Sequence, residues 1–368
     1  MAGIETYVRR IVPELLALRP NTRFSLFVSR PGAAALADEP WVADVDVVTH
    51  PLLGVRYLTA LSEMTLLGRL AAVRRLDVLN SVALTGPLGG PFAHVVTVGD
   101  MTWKIDPSSV NRVTGLIWRT SVPAIARRSD RVLTYSEAAK RDIVTLLGIA
   151  AERVDAVPLG PGAGEAPEPV PEPEVRSGLD IGAGRIVLAV SGKRPNKNLA
   201  RLVEAMVQVT RRHPDAVLVL PGAPTRHEDE LRSLADRLGV RGSIRFLGFV
   251  SAGELEGLYR AAECFVFPSL HEGFGLPVLE AMRRGVPVAC SRASSIPEVA
   301  GDAALYFDPH DAGDIARRVD ELLDDRRLAA RLAEAGRSRQ ALFSWRRTAE
   351  LTLASFERAW AERYGRRA

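Results

Sequence analysis

Short runs of β-branched and aliphatic residues recur along the chain, each followed by a longer stretch in which apolar positions return every three or four residues. That alternation of periods predicts βαβ units built on a parallel sheet. In the first half it predicts strands over Phe24–Val28, Val45–Thr49, Val78–Asn80, His94–Val98, Val132–Thr134 and Val154–Pro158. Between them it predicts helices over Tyr7–Leu18, Tyr57–Arg74, Arg112–Arg127 and Glu137–Leu147, the last with Ser136 as N-cap and Gly148 as C-cap.

From Gly160 to Pro173 the pattern stops in a stretch dense in Pro, Gly and Glu, which cannot build a packed core and reads as an extended linker. A second alternating series follows. Its predicted strands are Ile186–Ser191, Ala216–Leu220, Ile244–Phe246, Cys264–Pro268 and Pro287–Ser291. Its predicted helices are Leu199–Arg212, Glu228–Leu238, Glu254–Ala262, Pro277–Arg284, a short one near Pro297–Val299 and one long helix over Ala312–Ala335, before a final helix Trp345–Trp360. The fold class is therefore α/β, with two Rossmann-like doubly wound domains. The expected boundaries are 1–165, 166–345 and a closing helix in 346–368 that crosses back to the first domain.

A length of 368 residues agrees with two cores rather than one. Composition is that of an ordinary globular chain, 47% apolar and 25% charged, which argues against disorder and coiled coil. No apolar run reaches the roughly 18 residues of a membrane span, and no signal-peptide pattern opens the chain, so a cytoplasmic location is expected. A net charge of +4 from 48 basic and 44 acidic side chains is too weak a field for a nucleic-acid footprint. Local clusters at Arg127, Arg128, Arg131, Lys140 and Arg141, and at Arg363, Arg366 and Arg367, read as solvated faces, with contact to anionic headgroups at the inner membrane face as the sharper alternative. Cys264 and Cys290 lie in apolar runs and read as core residues.

Chemistry concentrates in the segment FVFPSLHEGFGLPVLEA, Phe265–Ala281. An apolar strand runs into a glycine-rich turn, and Pro277 starts a helix where proline is best tolerated. Gly273 and Gly275 admit close approach of a ligand, and the N–H groups at the helix start suit an anion such as a diphosphate. Glu272 precedes the turn and Glu280 lies about one helical turn into the helix, so the two carboxylates can address different hydroxyls of one ligand. A second constellation, SGKRPNKN over Ser191–Asn198, places Lys193, Arg194 and Lys197 at the carboxyl end of a strand, where phosphates bind, with Asn198 as a cap for the next helix. Neither a Walker A loop nor a GxGxxG pattern supports P-loop hydrolysis or dinucleotide binding.

The segments SGKRPNKNLARLVEAM, RFLGFVSAGELEGLYRAAECFVFPSLHEGFGLPVLEAMRRGVPVAC and SSIPEVAGDAALYFDP resemble the C-terminal half of family 4 glycosyltransferases, retaining enzymes of the GT-B fold; AGIETYVRRIVPEL and SDRVLTYSEAAKRDI are similar to its first half. The resemblance implies two domains facing across a cleft, and transfer of a hexose from a nucleotide-diphosphate-sugar donor to a glycan, lipid-linked or small-molecule acceptor. It implies that Glu272 contacts the donor sugar near its anomeric centre and that Glu280 binds the ribose. Arg194 and Lys197 would neutralise the diphosphate as it leaves. The amides of Gly273, Phe274, Gly275 and Leu276 would hold sugar and phosphate, Phe249 and Val250 would border the base, Gly3 would meet the diphosphate from the other domain, and Asp100 would stand on the acceptor side. The donor is a substrate and no cofactor is expected. The six histidines are scattered, so no metal is expected and the diphosphate charge falls to Arg194, Lys197 and helix dipoles. Front-face transfer, with the leaving phosphate deprotonating the acceptor, is likewise what the resemblance implies. The alternatives are a non-catalytic nucleotide-sugar-binding protein and an epimerase or hydrolase on the same architecture.

Two departures from the pattern carry expectations. The chain opens at MAGIETY, inside the turn that normally follows a first strand; loss of that strand predicts an apolar slot and unpaired backbone in the first sheet. Gly99 stands before Asp100 where many relatives have histidine, while His94 reads as a core or edge histidine and His271 as a wall residue.

Overall fold

A computed structural model describes residues 2–51, 53, 62–162 and 168–365. The chain divides into two compact units, Met1–Gly160 with Ser344–Ala368, and Pro161–Phe343.

In unit 1, strands β1 (Ser25–Val28) and β2 (Asp46–Thr49) form one parallel pair, and β3 (Val78–Ser81), β4 (Ala93–Thr97), β5 (Arg131–Thr134) and β6 (Val154–Ala156) form a separate parallel sheet in that order. Strand β4 is buried at every position because both of its faces are covered. Val96 packs with Val122, Ile125 and Ile143 on one face, and Val95 packs with Leu133 and Ala359 on the other. The second face is covered by helix Trp345–Tyr364, which belongs to unit 1. That helix is fixed by polar groups as well as by packing. Arg131, 5% exposed, bonds Asp155 at 2.6 Å and Glu362 at 2.8 Å, and Ser355 donates to Asp155 at 2.7 Å. Arg131 is therefore a structural cation, which removes it from the basic cluster read as a solvated face; Arg127 likewise donates to the carbonyl of Leu147. Between β1 and β3 lies a slot of about 700 Å³, bordered by Ser25–Phe27 and Val78–Val82.

Unit 2 holds one six-stranded parallel sheet built from β7 (Arg185–Leu188), β8 (Ala216–Leu220), β9 (Ile244–Phe246), β10 (Ala262–Phe267), β11 (Val288–Ser291) and β12 (Ala304–Phe307). Its spatial order is β12-β11-β10-β7-β8-β9. Read from β9, this is the doubly wound order 3-2-1-4-5-6, whose direction reverses between β7 and β10. The crevice beyond the carboxyl ends of those two strands is where such sheets bind ligands.

Three expectations need correction. The second half of the Gly160–Pro173 segment is not an extended linker: Val170 N–H bonds the carbonyl of Gly253 at 3.0 Å, and a helix already runs over Glu172–Gly178. Gly253 and Gly257, one turn apart on helix Ala252–Ala261, make this possible, since a Cβ on Gly257 would lie 2.5 Å from the carbonyl oxygen of Val170. The long helix expected over Ala312–Ala335 is two, Ala312–Asp324 and Arg326–Gln340, because the Asp325 carboxylate accepts from the N–H groups of Arg327 and Leu328 at 2.9 Å each and starts a new helix. Strand β12, whose short ALYF run follows a turn, went unassigned in the periodicity. The expected helix Tyr57–Arg74 lies partly outside the described residues; within them, helix runs over Glu63–Leu67 and Gly68–Val73.

Candidate functional site

The switch point between β7 and β10 brings together the two constellations read from sequence. The loop after β7 carries Ser191–Asn198 and the loop after β10 carries Pro268–Gly275, and the N–H of Leu270 bonds the carbonyl of Asn196 at 2.9 Å to join them. Asn198 does not cap the next helix through its side chain. It takes a left-handed conformation (φ 56°), and its amide donates to the carbonyls of Pro268 (3.1 Å) and Pro309 (2.7 Å), tying the loops after β7, β10 and β12.

The three cations of the first loop have separate fates. Lys193 is 0% exposed and is not available to a phosphate. Its ammonium donates to the carbonyls of Gly222 (2.8 Å) and Leu247 (2.6 Å) and pairs with Glu228 at 3.2 Å. Burial pulls its pKa down, against the Glu228 charge that pulls it up. A polar, long residue in a polar loop gave no sign of burial; the signal lies in the acceptors, which come from loops after β8 and β9. Lys197 is partly buried and its Nζ lies 2.5 Å from Glu272 Oε1. Arg194 is exposed, and its side chain bonds no other described residue.

Glu272 is also held through its backbone, whose carbonyl accepts from Ser294 Oγ (2.7 Å) and Ser295 Oγ (3.0 Å), while Ser295 also donates to Phe274 O at 2.7 Å. These serines were not singled out by sequence reasoning. Gly275 has φ 113°, a left-handed conformation that a side chain resists, and serves as N-cap of helix Leu276–Arg283 with Pro277 in its first turn. Val278 N–H bonds the carbonyl of Gly275, whereas the N–H groups of Phe274, Gly275 and Leu276 meet no acceptor among the described residues. Phe274 itself is buried edge-on against Phe343.

Glu280 is not an exposed helix charge. Burial pushes its carboxyl up from the ordinary range, opposed by Arg284 and by the Tyr259 hydroxyl, which donates to it at 3.3 Å. Arg284 is anchored in turn by Glu256 at 2.5 Å and lies 4.4 Å from the Tyr259 ring. Phe249 is 84% exposed and Val250 partly exposed on the loop after β9, the loop whose Leu247 carbonyl Lys193 holds.

Gly3 and Asp100 lie in unit 1, Gly3 in the first turn of helix Ala2–Leu18. Asp100 accepts from Thr102 N–H at 2.8 Å. Gly99 has a packing reason: a Cβ there would stand 2.8 Å from the ring of Tyr135, which is half-buried and packs on Tyr7 with centroids 5.8 Å apart. His94 is a buried histidine bonded to Ser81 at 3.0 Å, and Cys264 and Cys290 are buried thiols. An Asp-x-Asp triplet stands at Asp44–Asp46, where Asp46 begins β2 and pairs with Arg74. Among the described residues no group of three or more His, Cys, Asp or Glu is arranged to hold a metal ion, and no helix is long and apolar enough to cross a membrane.

The sheet order, the paired loops and the glycine-capped helix are those of the second Rossmann-like domain of the GT-B fold. Residues 173–339, somewhat under half of the chain, match the model of the family described as glycosyl transferases group 1. Over 231 residues, 61% of the chain, the sequence is 33% identical to the O-antigen chain mannosyltransferase B of Escherichia coli, of which it spans 60%. It is also 33% identical over 245 residues to the MMP alpha-(1->4)-mannosyltransferase of Mycolicibacterium hassiacum, of which it spans 56%. The fold matches a glycosyltransferase from Rickettsia africae over 98% of this chain and 95% of that one (TM-score 0.72, 15% identity). It also matches HepE from Anabaena, solved with UDP-glucose, over 96% of each chain (TM-score 0.72, 19% identity).

Proposed function

We propose that this protein is a retaining, family 4 glycosyltransferase that moves a hexose from a nucleoside-diphosphate-hexose to a glycan, lipid-linked or small-molecule acceptor. The observation that carries the reading is the convergence, at one switch point of unit 2, of a free guanidinium (Arg194), a Lys197–Glu272 pair and the uncommitted N–H groups of residues 274–276. Cations and amides without acceptors suit a diphosphate, and Glu280, set deeper on the same helix, suits a ribose. Mannose is the sugar that the names of the E. coli and mycolicibacterial relatives share, so a mannosyl donor is the first to test.

In this reading Lys197 turns from Glu272 to the phosphate as donor enters, which leaves the Glu272 carboxylate to the sugar hydroxyls near the anomeric carbon. The bond from that carbon to the phosphate oxygen breaks as the acceptor oxygen bonds to the same face, and the acceptor proton passes to the departing phosphate. Arg194, Lys197 and the helix N–H groups stabilise the negative charge that grows on the diphosphate, with no metal required. Phe249 and Val250 border the base, and Gly3 and Asp100 of unit 1 belong to the diphosphate and acceptor sides. The enzyme works in the cytoplasm. A peripheral membrane contact is supported by exposed Val113 and Leu116 flanked by exposed Arg112 and Arg119 on helix Arg112–Arg128.

The test is a panel of mass-tagged nucleotide sugars incubated with candidate acceptors. Turnover of one donor with product bearing the sugar in retained configuration is the expected result, and Glu272→Ala should lower it by about a hundredfold or more while nucleotide binding is largely kept. Saturable donor binding with no turnover of any donor would assign the protein to binding alone.

A further inference from the structure

Glu280, the proposed ribose acceptor, sits in a polar cluster between two helices of unit 2 whose other members have no part in the proposed transfer. Glu256 and Tyr259 lie three positions apart on helix Ala252–Ala261, and Glu280 and Arg284 lie four apart on helix Leu276–Arg283 and its C-cap, so each pair shares a helix face. Glu256 is 3% exposed and Tyr259 is fully buried. Arg284 Nε donates to Glu256 Oε2 at 2.5 Å, and its Nη1 donates to the backbone carbonyl of Glu280 at 3.0 Å, with the guanidinium over the Tyr259 ring. The guanidinium thus acts on the Glu280 carboxylate through space without bonding it. Of the two Glu280 oxygens, Oε2 accepts from the Tyr259 hydroxyl at 3.3 Å, and Oε1 accepts from no described residue. Gly162 leaves room there, since a Cβ on it would collide with Oε1.

A buried carboxylate–guanidinium pair is weak evidence for stability, because desolvation offsets most of the attraction. Here the pair has a geometric effect. Anchored on Glu256, Arg284 stands beside Glu280 and is kept from closing a bidentate pair with it, which would occupy the acceptors that a diol needs. We propose that Tyr259, Arg284 and Glu256 are positioning residues, which hold the Glu280 carboxylate with one oxygen open to the ribose hydroxyls of a nucleoside diphosphate. This rests on the reading of Glu280 as the ribose acceptor. Among the described residues, the groups that face Glu280 are Tyr259 and Glu256 from one helix and Arg283 and Arg284 from the other. Burial pushes its carboxyl up, Arg284, the Tyr259 hydroxyl and Arg283 pull it down, and Glu256, the smallest influence, pushes it up. Burial, with the Glu280 charge, holds the Tyr259 hydroxyl well above its usual range, so it remains a donor.

The probes are GDP and UDP, each compared with its dideoxy form, which lacks both ribose hydroxyls, on the 368-residue chain. The native protein should bind one of the ribonucleotides about tenfold or more tightly than its dideoxy form. Tyr259→Phe should weaken that ribonucleotide several-fold. The double variant Glu256→Gln with Arg284→Gln removes both charges, so neither is left buried alone, and should weaken it by about tenfold. Affinity for the dideoxy form should stay within about twofold in both variants. The preference for the ribonucleotide needs an ionised acceptor and should be lost on acidification. In the double variant that loss should come about one pH unit higher, because the downward pull of Arg284 is gone. A native protein that binds both forms equally, or neither, overturns the ribose reading and this assignment with it. A native preference that survives in both variants, with an unmoved pH midpoint, overturns this assignment alone. Equal weakening of the ribonucleotide and dideoxy forms overturns it in favour of a cluster that only packs the two helices. Should the double variant not fold, the same ratio measured on Tyr259→Phe decides.

Discussion

Lys193 braces the loops of the candidate site from inside the fold rather than from its surface. Its ammonium is the shared donor for the carbonyls of Gly222 and Leu247, in the loops after β8 and β9, and its own carbonyl accepts from the Thr225 hydroxyl. Lys193→Met keeps the length and removes the charge, leaving two carbonyls and part of Glu228 without their donor. It should cost about 2–4 kcal/mol of stability and raise the donor KM several-fold with a smaller change in kcat; an unchanged KM in the folded variant would remove Lys193 from the positioning of that wall. The residue types of this site were legible in the chain. Glu272, Gly275 and Lys197 stand in a strand-to-helix context that few other chemistries need. Which of three neighbouring cations is buried was not legible, because burial of Lys193 depends on carbonyls 29 and 54 positions away. The Ser294 and Ser295 contacts were hidden for the same reason: a hydroxyl that braces a carbonyl leaves no local pattern.

At the scale of elements, β3 and β4 carry a pH-dependent joint. His94 on β4 bonds Ser81 on β3 at 3.0 Å, and burial, helped by the Arg363 charge, pulls its pKa down to about 4. The unfolded chain therefore takes up a proton near pH 6.5 that the folded chain refuses until about pH 4. Stability from this group is present above pH 6.5 and falls as pH drops toward 4, by up to about 3 kcal/mol. Denaturant midpoints of the native protein and of His94→Gln, compared at pH 7.5 and pH 4.5, should show the larger loss in the native protein; parallel losses would contradict the joint. Long, strongly periodic elements such as Leu199–Arg212 and Glu137–Leu147 were legible because one face is apolar, and the second also because Ser136 and Gly148 cap its ends. The 168–178 segment was not. Its Pro and Glu density reads as linker, and only the groove made by Gly253 and Gly257 on another helix gives it a surface to pack against.

At the scale of the molecule, chain order and domain membership part company. The last helix is sequential to unit 2 and belongs to unit 1, where Thr348 donates to the carbonyl of Pro158 and Glu362 bonds Arg131. Truncation after Phe343 should lower or abolish the unfolding transition of unit 1 while unit 2 retains nucleotide binding; loss of binding with unit 1 still folded would contradict that assignment. The central claim is that unit 2 grips a diphosphate at the β7–β10 switch point through Arg194 and Lys197. Titration calorimetry with GDP and UDP on the native protein and on Arg194→Ala and Lys197→Ala measures it directly. One nucleoside diphosphate should bind the native protein saturably, and each variant should bind it about tenfold or more weakly, as expected for loss of a charged hydrogen bond. Dissociation constants left unaltered in both variants would contradict the claim.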